Sequence, residues 1–103
     1  VSGDVVWDDT TNEGVVRLRG LTPNDAAALQ YQLWVFDPTR SNPDVPVHAG
    51  VFDVAMVGED VLIKIRPSLP IGEAGAFAVS QERRGGSVTP TMENVVGVAP
   101  VAR

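Results

Sequence analysis

Apolar residues fall in short runs separated by clusters of Gly, Pro, Asn and Asp, and most runs alternate with polar residues. Gly14 to Arg19 is the clearest. Val16 and Leu18 fall on one side and Arg17 and Arg19 on the other, the period of a half-buried strand. Gly3 to Trp7 precedes it across the polar stretch 8–13, and the two read as a hairpin. Gln30 to Asp37 is different: Tyr31, Leu33 and Val35 lie on one face, Trp34 and Phe36 on the other. Two apolar faces predict a central strand covered on both sides. Val47 to Val57 places Phe52, Val54 and Met56 on one face, and Val61 to Arg66 turns Val61, Ile63 and Ile65 inward with Lys64 and Arg66 outward. With Gly58-Glu59-Asp60 between them and Pro67 after them, these two read as a second hairpin.

A loop over 68–75, carrying Pro70 and Gly72, leads to a sixth strand, Ala76 to Glu82. A turn at Arg83 to Ser87 and an extended polar stretch at Thr89-Pro90-Thr91 precede the last strand, Asn94 to Val98, and Ala99 to Arg103 reads as a fraying tail. One segment breaks the strand pattern. Thr22 can cap a helix, Pro23 suits its first position and Asp25 stands where a capping-box acid would, so a short helix is predicted over 23–29. About seven short strands punctuated by turns predict an all-β fold, an antiparallel β-sandwich with one short helix near residues 23–29.

Composition narrows the class of function. At 103 residues, 44% apolar and 20% charged, the chain suits one domain with a real core rather than a disordered segment. A net charge of −5 counts against nucleic acid and against an anionic membrane surface as partners. The absence of Cys excludes disulfides and thiolate metal sites. Apolar runs stay far short of the ~18 residues of a membrane span. The chain begins at Val1 without an initiator Met and is read as a piece of a longer protein, with any anchor outside it.

No catalytic set, cofactor motif or metal set emerges. His48, the sole histidine, stands between Val47 and Ala49 at a loop-to-strand junction with no nucleophile elbow elsewhere, and reads as a surface or edge residue. Asp8-Asp9, Asp37, Asp53 and Glu59-Asp60 could supply paired carboxylates, but most lie in turns, where acids serve solvation and local hydrogen bonds. Asp53 interrupts an apolar strand, so it faces solvent or pairs with an Arg. Asp9, Thr11 and Glu13 match the start of an EF-hand loop, yet Gly20 stands where the bidentate Glu is required. Arg83-Arg84-Gly85-Gly86-Ser87 offers two guanidinium groups beside flexible N–H groups, either an anion-binding turn or an ordinary hairpin turn. The aromatics read mainly as core, with Trp7 the best placed for exposure.

An ordered set of motifs adds to this picture: Gly3-Asp4-Val5-Val6-Trp7, Gly20-Leu21-Thr22-Pro23, Tyr31-Gln32-Leu33-Trp34, Ala49 to Phe52, Ala78 to Glu82, and Gly85 to Thr91. Over nearly the whole chain it resembles the extracytoplasmic C-terminal domain of anti-sigma-K (RskA-like) anti-sigma factors. That family usually has Glu-Pro before the glycine turn, whereas Arg83 follows Glu82 here. The resemblance implies a membrane-anchored, single-span regulator on the periplasmic face of a bacterial inner membrane. Its cytoplasmic segment, absent from this chain, holds an extracytoplasmic-function sigma factor, and staged proteolysis, begun by a site-1-type protease, releases it. It implies a sensing or gating role for this domain and no enzyme activity.

Two other readings stay open. A carbohydrate-binding or adhesion module would show Trp7 and Tyr31 exposed and coplanar, and a glycoside hydrolase would need two carboxylates across a cleft at ~5–9 Å. Open sheet edges would allow a weak homodimer. Binding or gating is expected in the loops Asp37 to Pro46 and Arg83 to Thr91, with Asp37, Arg40, Arg83, Arg84 and Thr91 as candidate residues.

Overall fold

A computed structural model describes residues 2–56, 58, 60–88, 91 and 94–101. Seven strands, β1 (Ser2–Asp8), β2 (Glu13–Arg19), β3 (Leu29–Phe36), β4 (Val47–Phe52), β5 (Val61–Lys64), β6 (Ala76–Arg83) and β7 (Val95–Pro100), form two antiparallel sheets. One has the order β1-β2-β5 and the other β4-β3-β6-β7. The β1–β2 hairpin is as the alternation predicts, with Val5 opposite Val16 and Asp8 opposite Glu13. The inward faces of both sheets meet in one core that holds Val16, Leu18, Leu33, Val35, Phe77 and Val79. Tyr31 stacks on Phe52 at 5.6 Å and Trp7 meets Phe77 edge-on at 5.9 Å, so both aromatics belong to this layer.

Three expectations are corrected. β4 and β5 do not form a hairpin. β4 pairs with β3 and β5 with β2, so the connection around Gly58 crosses from one sheet to the other. Both strands are shorter than the alternation suggests, and Met56 is exposed. Beyond β5, Arg66 and Ser68 donate N–H groups to Ala49 O and His48 O (3.1 and 2.8 Å), which covers part of the β4 edge.

Residues 23–29 form no helix. A single turn closes on Asp25, whose carbonyl accepts from Ala28 and Leu29 N–H (2.9 and 2.8 Å). Ala26, Ala27 and Ala28 are all exposed and offer a helix no apolar stripe to bury, so Leu29 enters β3 instead. Thr22 does not cap. Its carbonyl accepts from the Tyr31 hydroxyl at 2.7 Å. Asn24 bridges Leu29 O, Asp53 and Val54 N. Finally, the last strand does not end at Val98 but runs to Pro100, which opposes Ala76. Ala102 and Arg103 lie outside the described residues.

At one end of the sandwich, side chains stitch the loops together. Asn12, at φ 56°, donates to Ile71 O and accepts from Ile71 N (2.9 and 2.6 Å). Asp9 accepts from Trp7 Nε1 and from Ala74 N (2.7 and 3.0 Å). Asp37 accepts from Thr39 N, Thr39 Oγ1 and Gly72 N (2.8, 2.6 and 2.8 Å).

A covered polar face as candidate functional site

β3 is buried on both sides as its sequence predicts, with Leu33, Trp34 and Val35 fully enclosed. The side facing away from the core is not apolar throughout. Gln32 and Trp34 share it with His48 of β4 and with Ser80 and Glu82 of β6, and Gln32, Ser80 and Glu82 are buried. Strand register brings them together, since Gln32 opposes Ser80 and Trp34 opposes both Ala78 and His48. A bulge at Ala49, where the β3–β4 register shifts, pairs His48 with Trp34 rather than with Val35 and so places it on the Gln32 side of the sheet.

Ser87 and Thr91, which follow β6, are held to this face by side chains. Gln32 Oε1 accepts from Ser87 N (2.7 Å), and Gln32 Nε2 donates to Ser87 O and to His48 Nδ1 (both 2.9 Å). Trp34 Nε1 donates to Ser80 Oγ (2.8 Å), which donates to Glu82 Oε2 (2.5 Å). Glu82 also accepts from Thr91 N (2.9 Å) and Thr91 Oγ1 (2.7 Å). Burial pushes the Glu82 carboxyl up, but the bonds from Ser80 and Thr91 outweigh it and hold the group below its ordinary value. Among the described residues no buried side-chain polar atom lacks a partner. Beside this network a cleft of about 250 Å³ opens, lined by Leu29, Gln81, Glu82, Arg83, Ser87 and Thr91 among others.

The candidate residues divide between two ends of the molecule. Leu29 pairs with Arg83 and Phe36 with Ala76, so Asp37 and Arg40 lie a whole strand, about 23 Å, from Arg83 and Arg84. Asp37 is buried, and its carboxyl sits below its ordinary value because hydrogen bonds from Thr39, Gly72 and Glu73 exceed the effect of burial. It acts as a loop clamp. Arg40 is half-buried beside it and donates its main-chain N–H to Asp37 O at 3.3 Å. Arg83 and Arg84 are exposed, but the neighbouring N–H groups are already engaged. Arg84 donates to Ala28 O, Gly85 to Gln30 Oε1, Gly86 to Arg83 O and Ser87 to Gln32 Oε1. The main-chain N–H groups of Arg84, Gly85, Gly86 and Ser87 are thus taken up within the fold. Only Thr91 joins the network; Thr89 and Pro90 lie outside the described residues.

Other chemistry meets the same fate. Asp8 accepts from Thr10 N at 2.8 Å, Asp53 from Asn24 and Gln30, and Asp60 from Arg19. Asp53 is therefore on the solvent face, where the amides of Asn24 and Gln30 lower its pKa, helped by the charge of Arg84. Glu59 lies outside the described residues. No group of carboxylates and histidine fit to hold a metal occurs among the described residues. Tyr31 is buried and Trp7 half-buried against the core, so they form no open platform for a sugar ring.

Sequence reading missed Gln32, Ser80 and Glu82 as site residues, although the motifs behind the family resemblance contain them. Tyr31-Gln32-Leu33-Trp34, Ala78 to Glu82 and Gly85 to Thr91 each send side chains or main chain into this one network. Gly86 is its tightest point. At φ +87° an added Cβ would meet Gln32 Oε1 at 2.9 Å and Val51 Cγ2 at 3.0 Å, whereas Gly85, at φ +91°, has nothing within 4 Å. Both alanine variants incur backbone strain of about 1 kcal/mol. Gly86→Ala adds overpacking, for a total of about 2–3 kcal/mol. Urea midpoints of the two variants are expected to separate in that order, and equal midpoints would contradict the described fit.

Among the described residues no helix is long and apolar enough to cross a membrane. No curated protein and no solved structure matches the chain. A family model described as "Anti-sigma-K factor rskA, C-terminal" matches residues 1–95, nearly the whole sequence. The two-sheet architecture and the converging motifs therefore belong to a regulatory rather than a typically enzymatic family, one that implies a sigma-factor partner, and the chain is a member of the anti-sigma-K factor C-terminal domain family.

Proposed function

We propose that residues 1–103 form one extracytoplasmic sensing domain of a membrane-anchored anti-sigma factor, on the periplasmic face of a bacterial inner membrane. The observation that carries this reading is the cover over β3. Ser87 and Thr91, between β6 and β7, are bound to the sheet by the side chains of Gln32 and Glu82. On this reading the contact closes and opens. A ligand that prefers one state shifts the population by its difference in affinity for the two.

In this mechanism the closed fold shields a cleavage site near the membrane, and opening exposes it to a site-1-type protease. Proteolysis of an opened state follows the equilibrium population of that state when opening and closing are fast. The sigma factor is held by a cytoplasmic segment outside this chain, and the membrane by a span outside it. Deletion of residues 1–103 from the full-length anti-sigma factor is expected to make its cleavage independent of signal, read by immunoblot of the membrane fraction. Cleavage that still waits for the signal after deletion would remove the sensing role.

A further inference from the structure

β7 does not cover the whole of β6. Val95 opposes Ser80, so Gln81, Glu82 and Arg83 run on past the strand that pairs with them. The cleft of about 250 Å³ lies along this overhang, with Leu29, Gln81 and Arg83 lining it from the sheet and Ser87, Thr91 and Asn94 from beyond it. Its volume is near the lower end of the ~300–1,000 Å³ of small-molecule sites, so its occupant is a small molecule.

The groups in this cleft select a chemistry. Arg83 is exposed, and among the described residues its side chain and those of Gln81 and Asn94 have no hydrogen-bond or ion-pair partner. A guanidinium receives a carboxylate or a phosphate through two parallel bonds. Glu82 decides between them. Its carboxyl lines the same cleft; burial raises its pKa, but hydrogen bonds from Ser80 and Thr91 outweigh that and keep it ionised at neutral pH. That charge repels a phosphate, which carries roughly two negative charges, more than a carboxylate, which carries one. The Ser87 hydroxyl and the amides of Gln81 and Asn94 both donate and accept, as the hydroxyl groups of a ligand require.

We infer that this cleft binds a small hydroxy acid with a single carboxylate, the carboxylate on Arg83 and the hydroxyl groups on Ser87 and Asn94. The acid then serves as the ligand of the sensing domain, a role that rests on the function proposed above. It touches β6 and also Ser87, Thr91 and Asn94, so it needs both sides of the cleft in place. It therefore binds the closed arrangement and draws the population toward it. One ion pair and a few hydrogen bonds at an open site give an affinity in the millimolar range.

In NMR titrations of the 103-residue chain, L-lactate and D-glucuronate are expected to shift the amide signals of Arg83, Ser87 and Thr91 saturably at millimolar concentration. Glucose and inorganic phosphate bind at least about tenfold more weakly. Arg83→Gln weakens both acids by about tenfold with circular dichroism unchanged. Arg84→Gln, outside the lining, leaves their affinity as it is. At about ten times Kd, hydrogen exchange of the Ser87 and Thr91 amides, bonded to Gln32 and Glu82, slows by about tenfold. Absence of saturable shifts with both acids overturns the inference. So does glucose or phosphate binding as tightly as the acids, or an equal loss in Arg83→Gln and Arg84→Gln. Saturable binding with unchanged exchange overturns the coupling to closure. None of these readouts involves cleavage, so failure of the ligand is told apart from failure of the sensing role, which the deletion experiment decides.

Discussion

Trp34→Ala is expected to lower the stability of the domain by about 3–5 kcal/mol, the range for truncating a buried Trp. For a domain of this size that corresponds to a fall in Tm of at least about 12 °C, checked by calorimetry. The reason is positional. Trp34 is fully buried although its side chain points away from the inter-sheet core. It packs near His48, with ring centres 6.1 Å apart, and donates to Ser80. Its loss leaves a cavity beside His48 and removes one donor from the Trp34–Ser80–Glu82–Thr91 chain. Trp34→Phe separates the two effects. It retains much of the packing, leaves Ser80 Oγ without that donor, and should lose about 1–3 kcal/mol. If Trp34→Ala behaved like a surface substitution, within about 0.5 kcal/mol of wild type, the covered face would not be a structural element.

Removing the Glu82 carboxylate is the second large effect. Glu82→Ala leaves Thr91 N–H, the Thr91 hydroxyl and Ser80 without their acceptor, at an expected loss of about 3 kcal/mol. Glu82→Gln keeps some of these bonds without the charge and should lose about half as much. The same group shapes the response to acid. Its folded-state pKa lies below the ordinary Glu value of 4.5, and that of Asp37 below 3.8. Depressed carboxyl groups stabilise the fold fully above their unfolded values and lose that contribution as pH falls through their folded values. Stability should thus be level from neutral pH to about 5 and fall below that. Urea unfolding of wild type and Glu82→Gln across this range should show a shallower acid limb in the variant. Parallel acid limbs would mean that Glu82 titrates alike in both states.

The strand faces were legible because alternation depends only on which residues point where. Val16 and Leu18 against Arg17 and Arg19 had one interpretation, and the two apolar faces of Gln30 to Asp37 required cover on both sides. Partnership was less legible. Val61, Ile63 and Ile65 revealed the inner face of β5 but not that the face belongs beside β2 rather than β4. The expected helix failed because Thr22, Asn24 and Asp25 bind Tyr31, Asp53 and their own turn, so residues able to cap were taken by tertiary contacts. The site was hidden for a related reason. Ser80 and Glu82 stand on the outward side of β6, where polar residues ordinarily mean solvent, yet both are buried there and bonded to Trp34 and Thr91. Trp34, apolar on the same side, was the available signal.

The stitched end of the sandwich has a consequence for how the domain can change over evolution. The 69–75 segment has no partner strand, yet its main chain is satisfied by Asn12, Asp9 and Asp37 from two other loops. Those three loops act as one object with shared dimensions. An inserted residue between Asp9 and Asn12 would displace two anchors at once, and compensation would have to come from a distant loop. Length variation, ordinarily cheapest in loops, is thereby barred at this end of the molecule.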